Sequence, residues 1–410
     1  MTPHVAPLTK SRTLLYSAGS VGAGAFYAFN NFVLPNLLKA FGASDLLIGL
    51  LSSTRSIEGA VIQPTVGALS DRMWTRLGRR RPFMLIGIPL SAVFFVLAAG
   101  ASDLLTLAVG IVLFSIFFNA AVDPYAALLA DIAAPNERGI LSGVSTGIQL
   151  LSQVVFLIVV SQAAAGGTIP SWTYLLVAAL LVGSFAVTIR GVSEPRALAE
   201  VRERHTFRDY VAALLEHRDA MRYLACVFVY QFAFSAVLPY LTLFIVEDIH
   251  ETEGTALILS ATVLLVTAAA AVAWGKVADR VGTKPVLAAG WALLGVAAIG
   301  GVLVTTLGQT LVVVVIAGIG NGAATAIAWP LLASLVPPQQ VGVFAGLKAA
   351  ADSIAIPLSV VVAAEVFLPR FGYRGIFAML AVFTFIALAM LISLVRVPKP
   401  EELEAMTAPA

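Results

Sequence analysis

The chain has 410 residues, of which 59% are hydrophobic and 12% are charged. A soluble domain is about half apolar and about a quarter charged, so the composition excludes a soluble protein and indicates an integral membrane protein. The formal net charge of +2 provides no basic surface for a phosphate backbone, which excludes nucleic acid as a partner. The single cysteine, Cys226, excludes an intrachain disulfide framework and a CxxC zinc or redox motif.

Twelve apolar stretches are long enough to cross a lipid bilayer, for which a helix needs about 20 residues. Short charged or Gly/Pro-bearing breaks separate them, so the sequence predicts an all-α membrane protein with twelve transmembrane helices. The predicted spans are 13–38, 46–70, 82–101, 104–130, 139–163, 172–190, 221–246, 255–275, 285–306, 310–334, 341–368 and 375–395.

The distribution of positive charge predicts the orientation of these spans. The loops on one face carry 20 lysines and arginines, and the loops on the other face carry three, namely Lys39, Arg370 and Arg374. Because positively charged loops stay on the cytoplasmic side, both termini are predicted to be cytoplasmic, in a multi-pass protein of the plasma or inner membrane. The first apolar stretch is longer than a signal-peptide core and is predicted to be a retained span.

A long hydrophilic break in the middle of the chain predicts two halves of six helices each. The N-terminal half covers 1–190 and the C-terminal half covers 220–396. Residues 191–219 form a cytoplasmic linker, and 397–410 form a cytoplasmic tail. Apolar residues at near-helical spacing in the linker fit an amphipathic helix on the inner leaflet, and they fit a solvated helix equally well.

The two halves repeat each other in sequence. Residues 67–72 recur at 275–280 with an offset of 208, and residues 128–130 recur at 331–333 with an offset of 203. An extra Arg-rich turn after the first copy accounts for the difference of five residues. Duplicated halves packed around a site near the membrane midplane are the architecture of alternating-access transporters.

Two segments resemble a known superfamily. Gly67, Asp71 and Arg72, followed by Gly78 and Arg79, resemble the loop motif between helices two and three of the major facilitator superfamily. The wider segments 63–83 and 124–131 resemble the proton-coupled sucrose and sugar transporters of its glycoside-pentoside-hexuronide-like branch. The resemblance implies the fold of that superfamily, with two pseudo-symmetric six-helix halves, and a monomer that transports a small molecule.

Charged residues at the helix ends predict a cytoplasmic gate. Gly67 and Gly275 would permit close helix approach, while Asp71 and Asp279 would pair with arginines of neighbouring helices. The arginines could instead serve topology alone. Because Asp131 corresponds to Ser334 in the second half, we expect an asymmetric gate. The predicted gate residues are Gly67, Asp71, Arg72, Arg79, Asp131, Glu137, Arg138, Gly275, Asp279 and Arg280.

Four charged residues lie inside predicted spans, where each costs several kcal/mol unless it is paired or hydrated. Arg55 and Glu58 share one face of the second span, and Lys348 and Asp352 share one face of the eleventh. These two spans are neighbours in the resembled fold, so the four residues would form a neutral quartet near the midplane. The quartet is predicted to couple transport to protons, and the alternative is two self-satisfied structural salt bridges.

Uncharged polar and aromatic residues within the spans predict a substrate pocket. Each of them alone would also fit an interhelical hydrogen bond. The pocket candidates are Tyr27, Asn30, Asn31, Asn119, Gln149, Gln153, Tyr230, Gln231, Asn321 and Trp329. The Gly-rich stretch 318–322 lacks a P-loop lysine and is interpreted as close helix packing. No nucleophile with its base is apparent, so the sequence predicts neither an enzyme nor a cofactor or metal site.

These features predict a secondary active transporter that moves a small polar solute, such as a sugar, by proton-coupled alternating access. An exporter of amphipathic compounds is the first alternative, because Tyr125 and Ala126 stand where plant sucrose carriers have an arginine. A non-transporting assembly or receptor protein on the same fold is the second alternative. The predicted partners are the substrate, the proton and the lipid bilayer.

Overall fold

The computed structural model describes most of the chain as helix. The described residues are 8–53, 62, 65–67, 69–70, 73–134, 137–164, 169–195, 217–336 and 341–397. Within them, the extended pairing is an isolated bridge between Thr75 and Gly78. The chain divides into two compact units, which comprise Met1–Arg202 with Thr252–Ala261, and Glu203–Glu251 with Thr262–Ala410.

The first unit contains the helices of the N-terminal half of the chain. Its helices are α1 Lys10–Ser17, α2 Gly19–Ala28, a π-helical turn Phe29–Val33, α3 Leu34–Ala40, α4 Asp45–Leu51, α5 Arg81–Ala99, α6 Leu104–Ile132, α7 Arg138–Ala163 and α8 Trp172–Gly191. The segments from α1 to α3 follow one another with almost no break and cover the first predicted span. The second predicted span begins with α4, and much of its remainder lies outside the described residues.

The second unit repeats this arrangement, and α11 begins within the first unit. The helices are α9 Arg218–Ser235, α10 Leu241–Leu243, a π-helical turn Phe244–Asp248, α11 Glu253–Val281, α12 Thr283–Leu303, α13 Leu307–Ser334, α14 Val341–Val362, a π-helical turn Ala363–Phe367, α15 Leu368–Phe371 and α16 Arg374–Leu394. In the described part of the chain, nine helices are long and apolar enough to cross a membrane. The all-α membrane fold is therefore confirmed, and the count of twelve spans stays a prediction.

The sequence repeat reappears in the helix boundaries. Asp103 accepts a hydrogen bond from the Thr106 backbone N–H at 2.9 Å and caps the start of α6. Thr306, 203 residues later, accepts one from the Gln309 backbone N–H at 3.4 Å and caps the start of α13. Such caps satisfy N–H groups that the first helical turn leaves unpaired. The same hydrogen bond from Thr106 lowers the pKa of the exposed Asp103 carboxyl.

A contact between a cationic side chain and the C-terminal end of a neighbouring helix also recurs, again with the offset of 203 residues. Arg81, at the start of α5, donates a hydrogen bond to the Ile189 carbonyl near the end of α8. Lys284, at the start of α12, donates one to the Ile392 carbonyl near the end of α16 at 3.1 Å. Positive charge at a helix C-terminus pairs with unsatisfied carbonyls and with the helix dipole. The repeat therefore preserves a tertiary contact as well as a sequence pattern.

Close helix packing occurs at some of the glycines. A Cβ atom on Gly320 would lie 2.7 Å from the Gly290 carbonyl oxygen, so the interpretation of 318–322 as a packing segment is confirmed. The close approach predicted at Gly67 and Gly275 stays a prediction. A Cβ atom at either position would meet no described heavy atom within 4 Å.

The structure describes only part of the predicted linker and of the predicted tail. The predicted amphipathic segment falls on 196–216, which lies outside the described residues. Most of the predicted tail, from 398 onward, also lies outside them. The division into 1–190, 191–219, 220–396 and 397–410 therefore stays a prediction.

Candidate substrate cavities and charged clusters

The first unit contains a polar cavity of about 560 Å³. Its volume lies within the range of about 300–1,000 Å³ that small-molecule sites occupy. Five predicted pocket residues line it, contributed by the first predicted span, α6 and α7. They are Tyr27, Asn31, Asn119, Gln149 and Gln153.

Helical periodicity explains how these residues come together. Tyr16, Ser20, Ala23, Tyr27 and Asn31 follow one another at intervals of three or four and form one stripe along the first span. The lining residues of α7 form a similar stripe. Extending the predicted residues backward by helical spacing would therefore have identified Ser20 and Tyr16.

Asn30, also predicted for the pocket, lies beside the cavity. It is not among the residues that line the cavity. Its side chain is buried and donates a hydrogen bond from Nδ2 to the Ser52 carbonyl at 2.7 Å. It lies next to the cavity stripe, on the face that contacts the chain after α4, and acts there as an interhelical contact.

Tyr125 is the centre of a hydrogen-bonded and stacked network at one end of this cavity. Its ring stacks on that of Tyr16, with centroids 4.7 Å apart, and its hydroxyl donates to the Tyr16 carbonyl at 2.9 Å. The Ser20 hydroxyl lies 2.9 Å from the Tyr125 hydroxyl and 2.6 Å from that of Ser145. Sequence reasoning missed this network, because it joins helices far apart in the chain.

An acidic side chain contributes to the lining of this cavity. Asp123 lines it, and neither lysine nor arginine is among the described residues that do so. Asn119, one turn earlier on α6, is hydrogen-bonded through Nδ2 to the Ser115 hydroxyl at 3.2 Å. The cavity therefore offers amide, hydroxyl and carboxylate groups, which suit a neutral ligand rich in hydroxyls.

The second unit contains a smaller cavity of about 310 Å³. The four pocket residues predicted for this half, Tyr230, Gln231, Asn321 and Trp329, all line it. The Tyr230 hydroxyl donates to Asn321 Oδ1 at 3.0 Å. Lys348, predicted as part of the charged quartet, also lines this cavity.

Lys348 and Asp352 form an ion pair along one face of α14. Lys348 Nζ lies 2.8 Å from Asp352 Oδ2, and the Asp352 residue is buried. The pair therefore connects a buried carboxylate to a cavity-lining ammonium group. Arg55 and Glu58, the other predicted members of the quartet, lie outside the described residues.

The Arg-rich loop before α5 binds the end of α6 through a buried carboxylate. Asp131 Oδ2 accepts hydrogen bonds from Arg79 Nε and from Arg80 Nε, each at 3.1 Å. Arg80 also donates to the Ser70 hydroxyl. We call Arg79, Arg80 and Asp131 the arginine cluster. Asp71 and Arg72, which were predicted to take part in the same gate, lie outside the described residues.

Glu194, just after α8, binds the backbone of the loop that carries the arginine cluster. Its carboxylate accepts backbone N–H bonds from Arg79 at 2.8 Å, Arg80 at 3.0 Å and Arg81 at 3.1 Å. Gly78 precedes these residues with a φ of +108°, a conformation that side chains disfavour. Glu194 was not predicted, because an acid after a span gives no sequence signal for a partner more than 100 residues away.

The other predicted gate residues have different surroundings. Glu137 Oε1 accepts a hydrogen bond from the Leu8 backbone N–H at 3.1 Å. Arg138 donates to the Ala130 carbonyl at 3.0 Å and so caps the end of α6. Asp279 and Arg280 are exposed near the end of α11. Among the predicted gate residues that the structure describes, Arg79 and the buried Asp131 form an ion pair.

Comparison with known proteins supports the same fold and family. The chain matches the family described as MFS/sugar transport protein over residues 15–395. It is 33% identical over 101 residues to the sucrose transport protein SUT1 of Oryza sativa subsp. japonica, covering 24% of this chain and 18% of that protein. It is 28% identical over 148 residues to the human proton-associated sugar transporter A, covering 32% and 20%. The matched segments therefore span about a fifth of these relatives.

Solved structures share the fold at low sequence identity. The nucleoside transporter NupG aligns with a TM-score of 0.74 and 13% identity, covering 94% of this chain and 100% of that one. A bacterial homologue of the human lysosomal transporter Spinster, inward-facing and occupied, aligns with a TM-score of 0.69 and 13% identity, covering 93% and 95%. The matched family is one of transporters, as the sequence predicted. The chain belongs to the MFS/sugar transport protein family, within the major facilitator superfamily.

Proposed function

We propose that the protein is a secondary active transporter that moves a sugar by alternating access and couples its movement to protons. The observation that carries the proposal is the position of Lys348, which lines a cavity and pairs with the buried Asp352 at 2.8 Å. A ligand in that cavity can therefore influence a buried carboxylate through one ammonium group. The family and the named activities of its relatives support the same class of function.

The coupling step follows from the electrostatics of that pair. A carboxylate in a low-dielectric environment stays ionised while a cation lies beside it, and it favours proton uptake when the cation moves away. Substrate binding or helix movement that separates Lys348 from Asp352 would thus load a proton. Return of the ammonium group would release it.

The polar cavity of the first unit supports a sugar as the substrate. Asn31, Gln149 and Gln153 present amide groups, and Ser145 and Thr146 present hydroxyl groups. Amides and hydroxyls both donate and accept hydrogen bonds, as sugar hydroxyls require.

Uptake of radiolabelled mono- and disaccharides into proteoliposomes under an acid-outside pH gradient tests this proposal. Failure of every sugar to enter would contradict it.

We place the protein in the plasma or inner membrane as a monomer, surrounded by lipid, with both termini in the cytoplasm. The count of 20 positive residues against three on opposite faces supports this orientation.

A cysteine placed at Ala197 is expected to react with an impermeant maleimide from the cytoplasm, and one at Thr252 from outside. Cys226 is buried and would not interfere. Labelling of both positions from the same side would contradict the twelve-span topology.

Export of amphipathic compounds is the second candidate function. The cavity of the second unit favours it, because Phe234, Trp291 and Trp329 give that cavity apolar walls. The third interpretation, a non-transporting protein on the same fold, requires the charges to form a sealed structural network. It is weakened by the position of Lys348 at a cavity.

A further inference from the structure

The loop before α5 has a tightly held tip that exposes both a cation and apolar groups. The Thr75 backbone N–H donates to the Gly78 carbonyl at 3.0 Å, and the Gly78 N–H donates to the Thr75 carbonyl at 3.1 Å. Arg76 and Leu77 are the two residues between them, as in a two-residue hairpin turn, and both are exposed. Trp74, just before the turn, is also exposed. The turn therefore presents a guanidinium group beside an indole and an isobutyl group.

A cavity of about 500 Å³ lies against this tip, within the first unit. Trp74, Arg76 and Leu77 line it from the loop, Arg81 lines it from the start of α5, and Glu194 lines it from the segment after α8. It is separate from the polar cavity of the first unit, because the two share no lining residue. Its volume lies in the range that small ligand groups occupy.

The cavity favours an anion that binds to guanidinium groups. Two arginines and one carboxylate line it, which leaves one net positive charge. The Glu194 carboxylate already accepts the backbone N–H groups of residues 79–81. Arg76 has no carboxylate partner in the described part of the chain, and the buried Nε of Arg81 has no hydrogen-bond acceptor there. Guanidinium groups are well suited to a phosphate, which they bind through paired N–H donors.

Apolar side chains next to the cavity indicate that the anion carries hydrocarbon chains. Leu85 lies one turn after Arg81 on the same face of α5 and is exposed. Val187 lies three residues before Arg190 on α8, and both are exposed. Arginines at the helix ends, with apolar residues one turn further in, are the pattern of a membrane interface, where Trp74 would also be at home. A soluble phosphate would not use this apolar surface.

We propose that this cavity binds the headgroup of an anionic phospholipid in the leaflet that the loop faces, which is the inner leaflet in the proposed orientation. Arg76 and Arg81 bind the phosphate, while Trp74 and Leu77 contact the glycerol and the upper part of the acyl chains. A zwitterionic lipid binds more weakly, because its ammonium group is repelled by the same arginines. The inference does not depend on which solute the protein transports.

The test is native mass spectrometry of the full chain in detergent micelles, titrated with dioleoyl phosphatidylglycerol or dioleoyl phosphatidylcholine. The two lipids share their acyl chains, so the ratio of their first dissociation constants isolates the headgroup. We expect phosphatidylglycerol to bind about tenfold more tightly, and Arg76→Gln to reduce that ratio to about twofold, since one arginine near a lipid surface contributes about fivefold. Arg76→Lys should retain most of the ratio. Trp74→Ala should weaken the binding of both lipids and leave the ratio unchanged.

Arg218→Gln is the matched control, because Arg218 is also exposed and does not line this cavity. It should keep the ratio of the unaltered protein, and thermal unfolding without added lipid should be the same in both arginine variants. Equal affinity for the two lipids in the unaltered protein would overturn the inference. So would an unchanged ratio in Arg76→Gln, or an equal loss in Arg218→Gln, which would indicate general surface charge. Displacement of the lipid by an equal concentration of glycerol phosphate would also overturn it, since the site would then recognise a soluble phosphate.

Discussion

Asp352→Asn is expected to abolish accumulation of substrate driven by a pH gradient, while exchange of substrate across the membrane continues. The substitution removes the buried carboxylate that pairs with Lys348 and would carry the proton, and it preserves the shape of the side chain. Uptake into proteoliposomes with and without an acid-outside gradient, together with counterflow of preloaded substrate, measures the two activities separately. Only the gradient-dependent component should be lost.

The substitution also leaves Lys348 without its partner, so folding has to be assessed first by expression and thermal stability. Asp219→Asn provides a matched control, because Asp219 forms a more exposed ion pair with Arg222 on α9 at 3.1 Å. That variant should accumulate substrate normally. A well-folded Asp352→Asn protein that accumulates substrate as the unaltered protein does would make the ion pair structural. Asp123 and Asp131 would then be the next carboxylates to test.

Asp131→Asn is expected to destabilise the protein by about 3–5 kcal/mol, the usual cost of leaving a buried charge without its partner. The Asp131 side chain is only 7% exposed and pairs with two guanidinium groups, those of Arg79 and Arg80. Thermal or denaturant unfolding in a mild detergent measures the loss. We also expect the loop before α5 to become more accessible to proteases, because these ion pairs hold it against α6.

Asp219→Asn again supplies the comparison. Its ion pair with Arg222 has half of the arginine side chain exposed, and such surface pairs contribute about 0–1 kcal/mol. Equal and small losses in the two variants would contradict a stabilising role for the arginine cluster. A large loss confined to Asp131→Asn would support it.

Much of the fold could be predicted because it depends on local composition and on the repeat. The apolar stretches gave helix positions to within a few residues: the predicted span 104–130 is the helix Leu104–Ile132. The offset of 203 also identified equivalent helix starts, since Asp103 and Thr306 cap equivalent helices. What the pattern did not predict are the interruptions, such as the π-helical turn Phe29–Val33, which depend on tertiary packing.

The candidate site was predictable where helical periodicity decides which face a residue occupies. Tyr27 and Asn31 belong to one stripe, whereas Asn30 lies beside it and contacts Ser52. Contacts between distant segments were not predictable in the same way. The sequence shows that Asp131 and Glu194 are acidic, but only the packing of α5, α6 and α8 brings both of them to the same loop.

Movement of protons with the sugar is the central claim, and a single measurement tests it directly. Purified protein in lightly buffered proteoliposomes, with no imposed gradient, receives the recognised sugar on the outside while a pH electrode follows the external medium. We expect immediate alkalinisation that scales with sugar uptake and disappears in Asp352→Asn. Sugar uptake with no change in external pH would contradict proton coupling.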